Sequence, residues 1–296
     1  MKEKGNIGMC ALFAGNNRNE TRSEGKPDPA DEFLQEFEAE EEELTVLLKD
    51  FTKGGLMRGD YTFPAVSFLA YIDNENGEVI QEEGTLHWVV KNSAKDYIHD
   101  FEDYGIYRVL VRKSKPEVKN FLGMPYKNRY HIVKVIGKNL KEPRLEAIRA
   151  EYLKPVSIED KAGTFRLDRK YDWFEGEIDW LGSSREILLD RDEGRDTAEN
   201  ALQTLHRFLE DAEQWDKKLR TFAAEQLTEL ANDWQDGETP EITEEEFAKR
   251  IGAPKFHIDG EGDFEAEYDD DDMFYGHWIV VYGNADGELR EANIEG

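Results

Sequence analysis

The chain has 296 residues, and its 66 acidic against 38 basic side chains give a formal charge of −28, which argues against a polyanion as the main partner. A hydrophobic content of 39%, with six Trp and sixteen Phe, is enough to build two ordinary cores. The single cysteine, Cys10, excludes an intramolecular disulfide and favours a reducing, cytoplasmic setting.

Residues 1–43 mix Asn, Glu, Arg, Gly and Pro before the run Glu40 to Glu43, so an acidic, disordered tail is expected there. Its apolar stretch, Ile7 to Ala14, is broken by Gly8 and Cys10 and falls well short of the roughly 18 residues of a membrane span. Met9 before Cys10 is too large for a lipoprotein site, and neither an export leader nor a membrane span is expected. Phe33, Leu34 and Phe37 could form one short amphipathic helix or only a frayed turn.

Residues 44–160 read as a β-rich module. Val66 to Ile72 and Thr85 to Val90 are predicted strands, with Asn76-Gly77 between them as a turn. Tyr107 to Val111 and Tyr130 to Ile136 repeat the β-branched, aromatic pattern, and Arg144 to Tyr152 reads as a closing helix. Short strands at this spacing fit a small curled sheet or barrel, the oligonucleotide-binding type among the topologies that match.

Residues 161–296 read as an acidic α+β domain. Phe174, Gly176, Ile178 and Trp180 alternate with Glu175, Glu177 and Asp179, the period of a strand with one buried and one charged face. Glu186 to Leu189 is a second strand. Asp196 and Glu199 then open a predicted helix whose apolar residues, from Ala198 to Leu209, share one face. Trp215, Leu219, Phe222, Ala223, Leu227, Leu230 and Trp234 keep three-to-four spacing and predict a long second helix. Thr243 and Glu246 form a capping-box pair for a third, which stops before Gly252 and Pro254. Strand periodicity returns at Phe264, Ala266 and Tyr268, then at His277 to Tyr282 and Leu289 to Ile294, with Asp286-Gly287 as a turn. Strands, helices, then strands again predict helices packed on one face of a mostly antiparallel sheet.

The segments Leu167 to Gly176, Trp215 to Trp234 and Phe274 to His277 resemble, in the same order, the bacterial family named domain of unknown function 2262, over roughly residues 162–296. The resemblance implies a domain boundary and a bacterial origin, and it brings no activity, cofactor or catalytic residue with it. Charge supports the same division. From Gly163 to Gly296, 37 acids face 14 bases, whereas from Phe51 to Lys161, 16 acids face 18 bases.

Two clusters could carry chemistry. Asp269 to Asp272 with His277 could hold a divalent metal, with Asp270, Asp272 and His277 as catalytic candidates for a metal-dependent hydrolase. The same residues also suit a solvated turn and a structural corner. In the first module, thirteen bases from Arg108 to Lys154 face four acids between Tyr107 and Pro155. With Phe121, Tyr126 and Tyr130 interleaved, they could bind nucleic acid, or they could serve as an internal docking surface for the acidic module or for Glu40 to Glu43. Asp190, Asp192, Gly194 and Asp196 lack the acid a calcium loop needs at its twelfth position, where Ala201 stands. His87, His99, His131, His206 and His257 stand singly, outside any HExxH pair, and Gly260 and Gly262 lack the third glycine of a dinucleotide fingerprint.

The leading expectation is therefore a non-catalytic interaction protein of the immunity or regulatory type, which uses no cofactor. Glu175, Glu177, Asp179, Glu265, Glu267 and Asp269, on the polar faces of predicted strands, would bind a basic protein partner. Metal-dependent hydrolysis and nucleic-acid binding are the alternatives.

Overall fold

The computed structural model describes residues 27–50, 55–93, 100–120, 122–235 and 240–296. The chain divides into two units, Met1–Tyr152 and Leu153–Gly296, and the architecture is α+β in the order the sequence predicts. No helix among the described residues is long and apolar enough to cross a membrane.

The first unit runs α1 (Pro29–Leu34), β1 (Glu42–Leu48), β2 (Leu56–Arg58), β3 (Tyr61–Phe63), β4 (Ala65–Asp73), β5 (Val79–Ile80), β6 (Gly84–His87), β7 (Val90–Lys91), β8 (Ile106–Lys113), β9 (Arg129–Gly137) and α2 (Pro143–Tyr152). Strand β1 pairs antiparallel with both β4 and β8, β6 runs parallel to β9, and the remaining pairs are antiparallel. The ring β1-β4-β6-β9-β8 is thereby closed. A closed five-stranded barrel is among the small barrels that the strand spacing allows, and closure leaves no free edge in the ring. Strand β1 is paired on both edges and buried on both faces. Leu44, Val46 and Leu48 join Phe68, Tyr107 and Tyr130 in the barrel interior, while Leu47 packs with Ile72 and Leu145 under α2. The ring is tight at Gly84, where an added Cβ would stand 2.3 Å from the Asn128 carbonyl oxygen. A separate three-stranded sheet, β2-β3-β7, lies outside this ring.

The expected tail over 1–43 gives way to structure within its last third. Asp28 caps α1, and Phe33 and Phe37 are buried, so the ordered body of the first unit begins well ahead of Leu44. The aromatic pair supplies enough burial to hold a segment whose composition is otherwise that of a tail. The part of that expectation covering residues 1–26 lies outside the described residues.

The second unit contains β10 (Ser157–Asp160), β11 (Gly163–Asp168), β12 (Trp173–Trp180), β13 (Ser183–Asp190), α3 (Glu199–Glu210), α4 (Ala212–Asp233), α5 (Glu244–Arg250), β14 (Lys255–Ile258), β15 (Asp263–Asp269), β16 (Trp278–Asn284) and β17 (Leu289–Glu295). These eight strands form one sheet in strict chain order, antiparallel throughout except for the parallel pair β13–β14. Two four-stranded meanders are thus joined by a helical crossover. The inward residues of the sheet, among them Phe174, Ile178, Trp180, Phe256, Phe264 and Tyr268, pack with Leu205, Phe208, Leu219, Ala223 and Phe247 of the helices. Gly176 has a specific task in this layer: a Cβ there would lie 2.4 Å from the ring of Phe165 on the neighbouring strand.

Strand β10 belongs to this sheet, so the second unit begins before residue 161. The start of α3 also differs from expectation. Asp196 is held by Arg169 and Arg191, and the carboxylate that receives the free amides of the first turn is Asp192, which accepts from Glu199 N–H (2.8 Å), Asn200 N–H (3.5 Å) and the Thr197 hydroxyl (2.7 Å). The loop folds back so that an acid seven residues ahead of the first helical residue does the capping. At α5 the capping box forms as predicted, with Glu246 N–H donating to Thr243 Oγ1 and Thr243 N–H donating to Glu246 Oε2.

Candidate partner-binding face

Sheet register decides whether the six acids share a surface. Glu175, Leu188, His257, Glu265, Tyr282 and Glu291 form one lateral row across six strands. Glu177 pairs with Glu186, and Lys255 with Glu267, one row further on. Asp179 and Asp269 follow in the next row, opposite Ser184 and Trp278. All six therefore lie on the face turned away from the helices, together with Glu186, Glu291 and Glu295. Phe174, Ile178, Phe264 and Ala266, at the alternate positions, are the ones buried against the helices.

The field on this face alters its own titration. Glu265 is exposed at its surface, yet its carboxylate sits mid-sheet among neighbours. Lost solvation raises its pKa, and Glu295, Glu267 and Asp190 raise it further against the pull of His257. Glu267 is raised by burial in the same way, with Glu186, Glu295 and Asp269 adding to it against the pull of Lys255. At the centre stands His257, whose Nε2 meets Asp190 Oδ1 at 2.8 Å. Burial opposes its charge, but the Asp190 contact together with Glu265 and Asp259 carries its pKa above the ordinary value. Trp173 meets His257 edge-on at 5.3 Å and stacks on exposed Tyr171 at 4.8 Å, so an aromatic pair borders the acidic rows. Trp173, Asp190 and His257, together with Glu186, Glu291 and Glu295, are residues of this face that sequence reasoning did not assign to it.

The Asp269 to His277 block builds a corner. Asp270 is buried, and its carboxylate accepts from the amides of Asp272 (3.1 Å), Phe274 (2.8 Å) and Gly276 (3.0 Å). Asp271 turns to Arg250, Nε to Oδ2 at 2.6 Å. His277 donates from Nδ1 to the Phe274 carbonyl at 2.6 Å and stands edge-on to Trp234. Tyr275 stacks on the same Trp234 and donates its hydroxyl to that residue's carbonyl at 2.8 Å. The left-handed backbone at Asp271, Asp272 and Tyr275 makes this tight wrapping over the end of α4. The Asp270 carboxylate is thus taken up by backbone amides and His277 Nδ1 by the Phe274 carbonyl, and no three His, Cys, Asp or Glu among the described residues gather as a metal would require.

The basic stretch of the first unit is met by its own chain. Arg112 pairs with Glu41 at 2.6 Å, Arg129 with Glu36 at 2.6 Å and Arg108 with Glu43 at 3.5 Å, so strands β8 and β9 dock the acidic run that precedes and opens β1. Tyr130 lies inside the barrel, whereas Tyr126 is exposed beside Arg129. Phe121 and His99 lie outside the described residues. Burial, with Arg129 and His131 nearby, lowers His87 to about 3, and burial with Arg112 lowers His131 to about 4.

Fold and face together define a two-unit α+β protein, a closed barrel followed by a helix-backed sheet with one acidic face. Residues 159–294 match the family model described as an uncharacterized protein conserved in bacteria (DUF2262), the family that the sequence motifs resemble. Residues 30–152 match a second, described as a domain of unknown function (DUF7021). No curated protein and no solved structure matches the chain.

Proposed function

We propose that the protein is a non-catalytic binding protein of the bacterial cytoplasm, of the immunity or regulatory type, whose C-terminal sheet docks a basic protein partner. One observation carries the reading: the strand register gathers Glu175, Glu177, Asp179, Glu265, Glu267 and Asp269 on the helix-free face. Burial first, and the neighbouring acids after it, raise the carboxylates of Glu265 and Glu267, and a cationic surface offsets the like-charge part on contact. The aromatic pair Tyr171 and Trp173 adds apolar contact area of the kind that anchors interfaces. The cytoplasmic setting rests on the lone Cys10.

The test is a pull-down from native bacterial lysate with the tagged full chain beside a Glu175→Gln, Glu177→Gln, Glu265→Gln, Glu267→Gln variant. Mass spectrometry is expected to find a basic protein recovered near stoichiometrically by the wild type and lost by the variant. Affinity of the purified pair should then fall steeply with salt. Equal recovery by both chains removes the acidic face from consideration.

A further inference from the structure

A second surface, independent of the acidic sheet, lies on the barrel. Residues 28–38 cross it as an added strap. Tyr61 donates its hydroxyl to Asp28 at 3.0 Å, and Phe33 packs on Phe63 at 5.1 Å. Phe37 lies against His131 and under the Arg129 guanidinium, 4.7 Å from the ring centroid. Two backbone hydrogen bonds pin the strap, Lys115 N–H to the Glu36 carbonyl and Glu38 N–H to the Lys113 carbonyl, each 2.9 Å. Phe33 and Phe37 are buried, yet neither belongs to the cores that close the barrel and seat α2.

The groups beneath the strap are incompletely used. The Arg129 side chain is 8% exposed, meets Glu36 through Nη2 and donates from Nη1 to the Ser114 hydroxyl at 3.4 Å, but its Nε finds no hydrogen-bond partner, and neither does Nδ1 of His131. A desolvated guanidinium with a free N–H favours a carboxylate that can engage it through two nitrogens, which the strap does not supply. The backbone of Lys113 and Lys115 lines the strap, and Tyr126 covers the guanidinium from outside at 4.8 Å.

We propose that this cleft, between hairpin β2–β3 and strand β9, is a binding site for a partner protein's peptide segment carrying two aromatic residues with a carboxylate between them, and that the chain's own Phe33-Glu36-Phe37 set occupies it in its absence. The strap is a resident competitor. A segment whose carboxylate reaches both Nε and Nη2 of Arg129 displaces it.

The test uses the full chain and a fluorescent synthetic peptide of residues 27–40. Loosening the strap with Phe33→Ser and Phe37→Ser is expected to tighten peptide binding by about tenfold or more over wild type, and adding Arg129→Gln should reverse that gain. Absence of binding near 1 mM by a loosened chain with an intact barrel spectrum overturns the proposal, as does binding indifferent to Arg129. A short single-stranded DNA that binds the loosened chain more tightly than the peptide, or a wild-type dimer formed by strap exchange, reassigns the occupant and overturns it too. Should the loosened chain fail to fold, hydrogen exchange on wild type decides. Amides of Glu38 and Lys115 exchanging about a hundredfold faster than those of Val46 and Val109 support a displaceable strap, and equal protection refutes it.

Discussion

The barrel and the eight-stranded sheet treat charge in opposite ways. The barrel's basic strands β8 and β9 are met by acids of the same unit, Glu36, Glu41 and Glu43. The sheet's acids on the helix-free face meet few cations, Lys255 at Glu186 being one that pairs directly. Histidines register the contrast. His87 and His131, buried beside arginines, are lowered to about 3 and about 4, while His257, set among Asp190, Glu265 and Asp259, is raised. A surface that neutralises itself needs no partner for its stability, and one that concentrates like charge tolerates strain that a partner can remove. That difference is why the acidic sheet, rather than the larger basic stretch in the sequence, carries the proposed function.

The most severe test of the comparison is whether the two cores are separate. The sheet's core and the barrel's core share no residue. Phe174→Ala, at a fully buried position, should cost about 3–5 kcal/mol. Calorimetry should show one transition moved down and the other unchanged, and a common shift of both would break the division. Gly176→Ala forces a methyl to 2.4 Å from the buried Phe165 ring and should cost about 1–3 kcal/mol in denaturant titrations, again in the second unit alone.

Smaller effects sharpen the electrostatic half. Because the folded state raises the pKa of Glu265 and Glu267, it binds more protons than the unfolded chain in the window above the ordinary 4.5, and their ionised forms destabilise at higher pH. Glu265→Gln with Glu267→Gln should therefore raise the melting temperature at pH 7, with the gain vanishing as pH falls below 4.5. The variant would be the more stable chain and the poorer binder, which separates function from folding. The smallest expected effect is a titration shift. His257 has a raised folded pKa, so its contact with Asp190 contributes stability that is complete below the ordinary 6.5 and lost as pH rises through the folded value. Asp190→Asn should lower the NMR titration midpoint of His257 while leaving His131 near 4.

Period and caps made much of the second unit legible. Phe174 to Trp180 alternates because one face of β12 is buried and the other charged, and the apolar stripe from Trp215 to Trp234 marks α4. Thr243 with Glu246 marked the start of α5. Strand β1 escaped because the barrel interior on one face and the packing under α2 on the other bury Leu44, Val46, Leu47 and Leu48 alike, which erases alternation. Strand β14 is only four residues long, too short for a period. Of the candidate face, the acids could be read from their own strands. Their common side, and the His257–Asp190 contact between residues 67 positions apart, depend on the parallel register of β13 and β14, which no local pattern encodes. Asp192 was hidden for a similar reason, since a loop had to fold back before its carboxylate reached the amides of α3.

The single parallel junction also orders events in time. Each meander, β10 to β13 and β14 to β17, joins neighbours through short turns, so both can assemble from local contacts. The β13–β14 pair must wait until the entire α3–α4–α5 crossover has been gathered over the sheet, the most distant strand contact in the second unit. Until then the edges of β13 and β14 are unpaired, and the nascent domain is most open to intermolecular strand pairing at its centre rather than at its final rims.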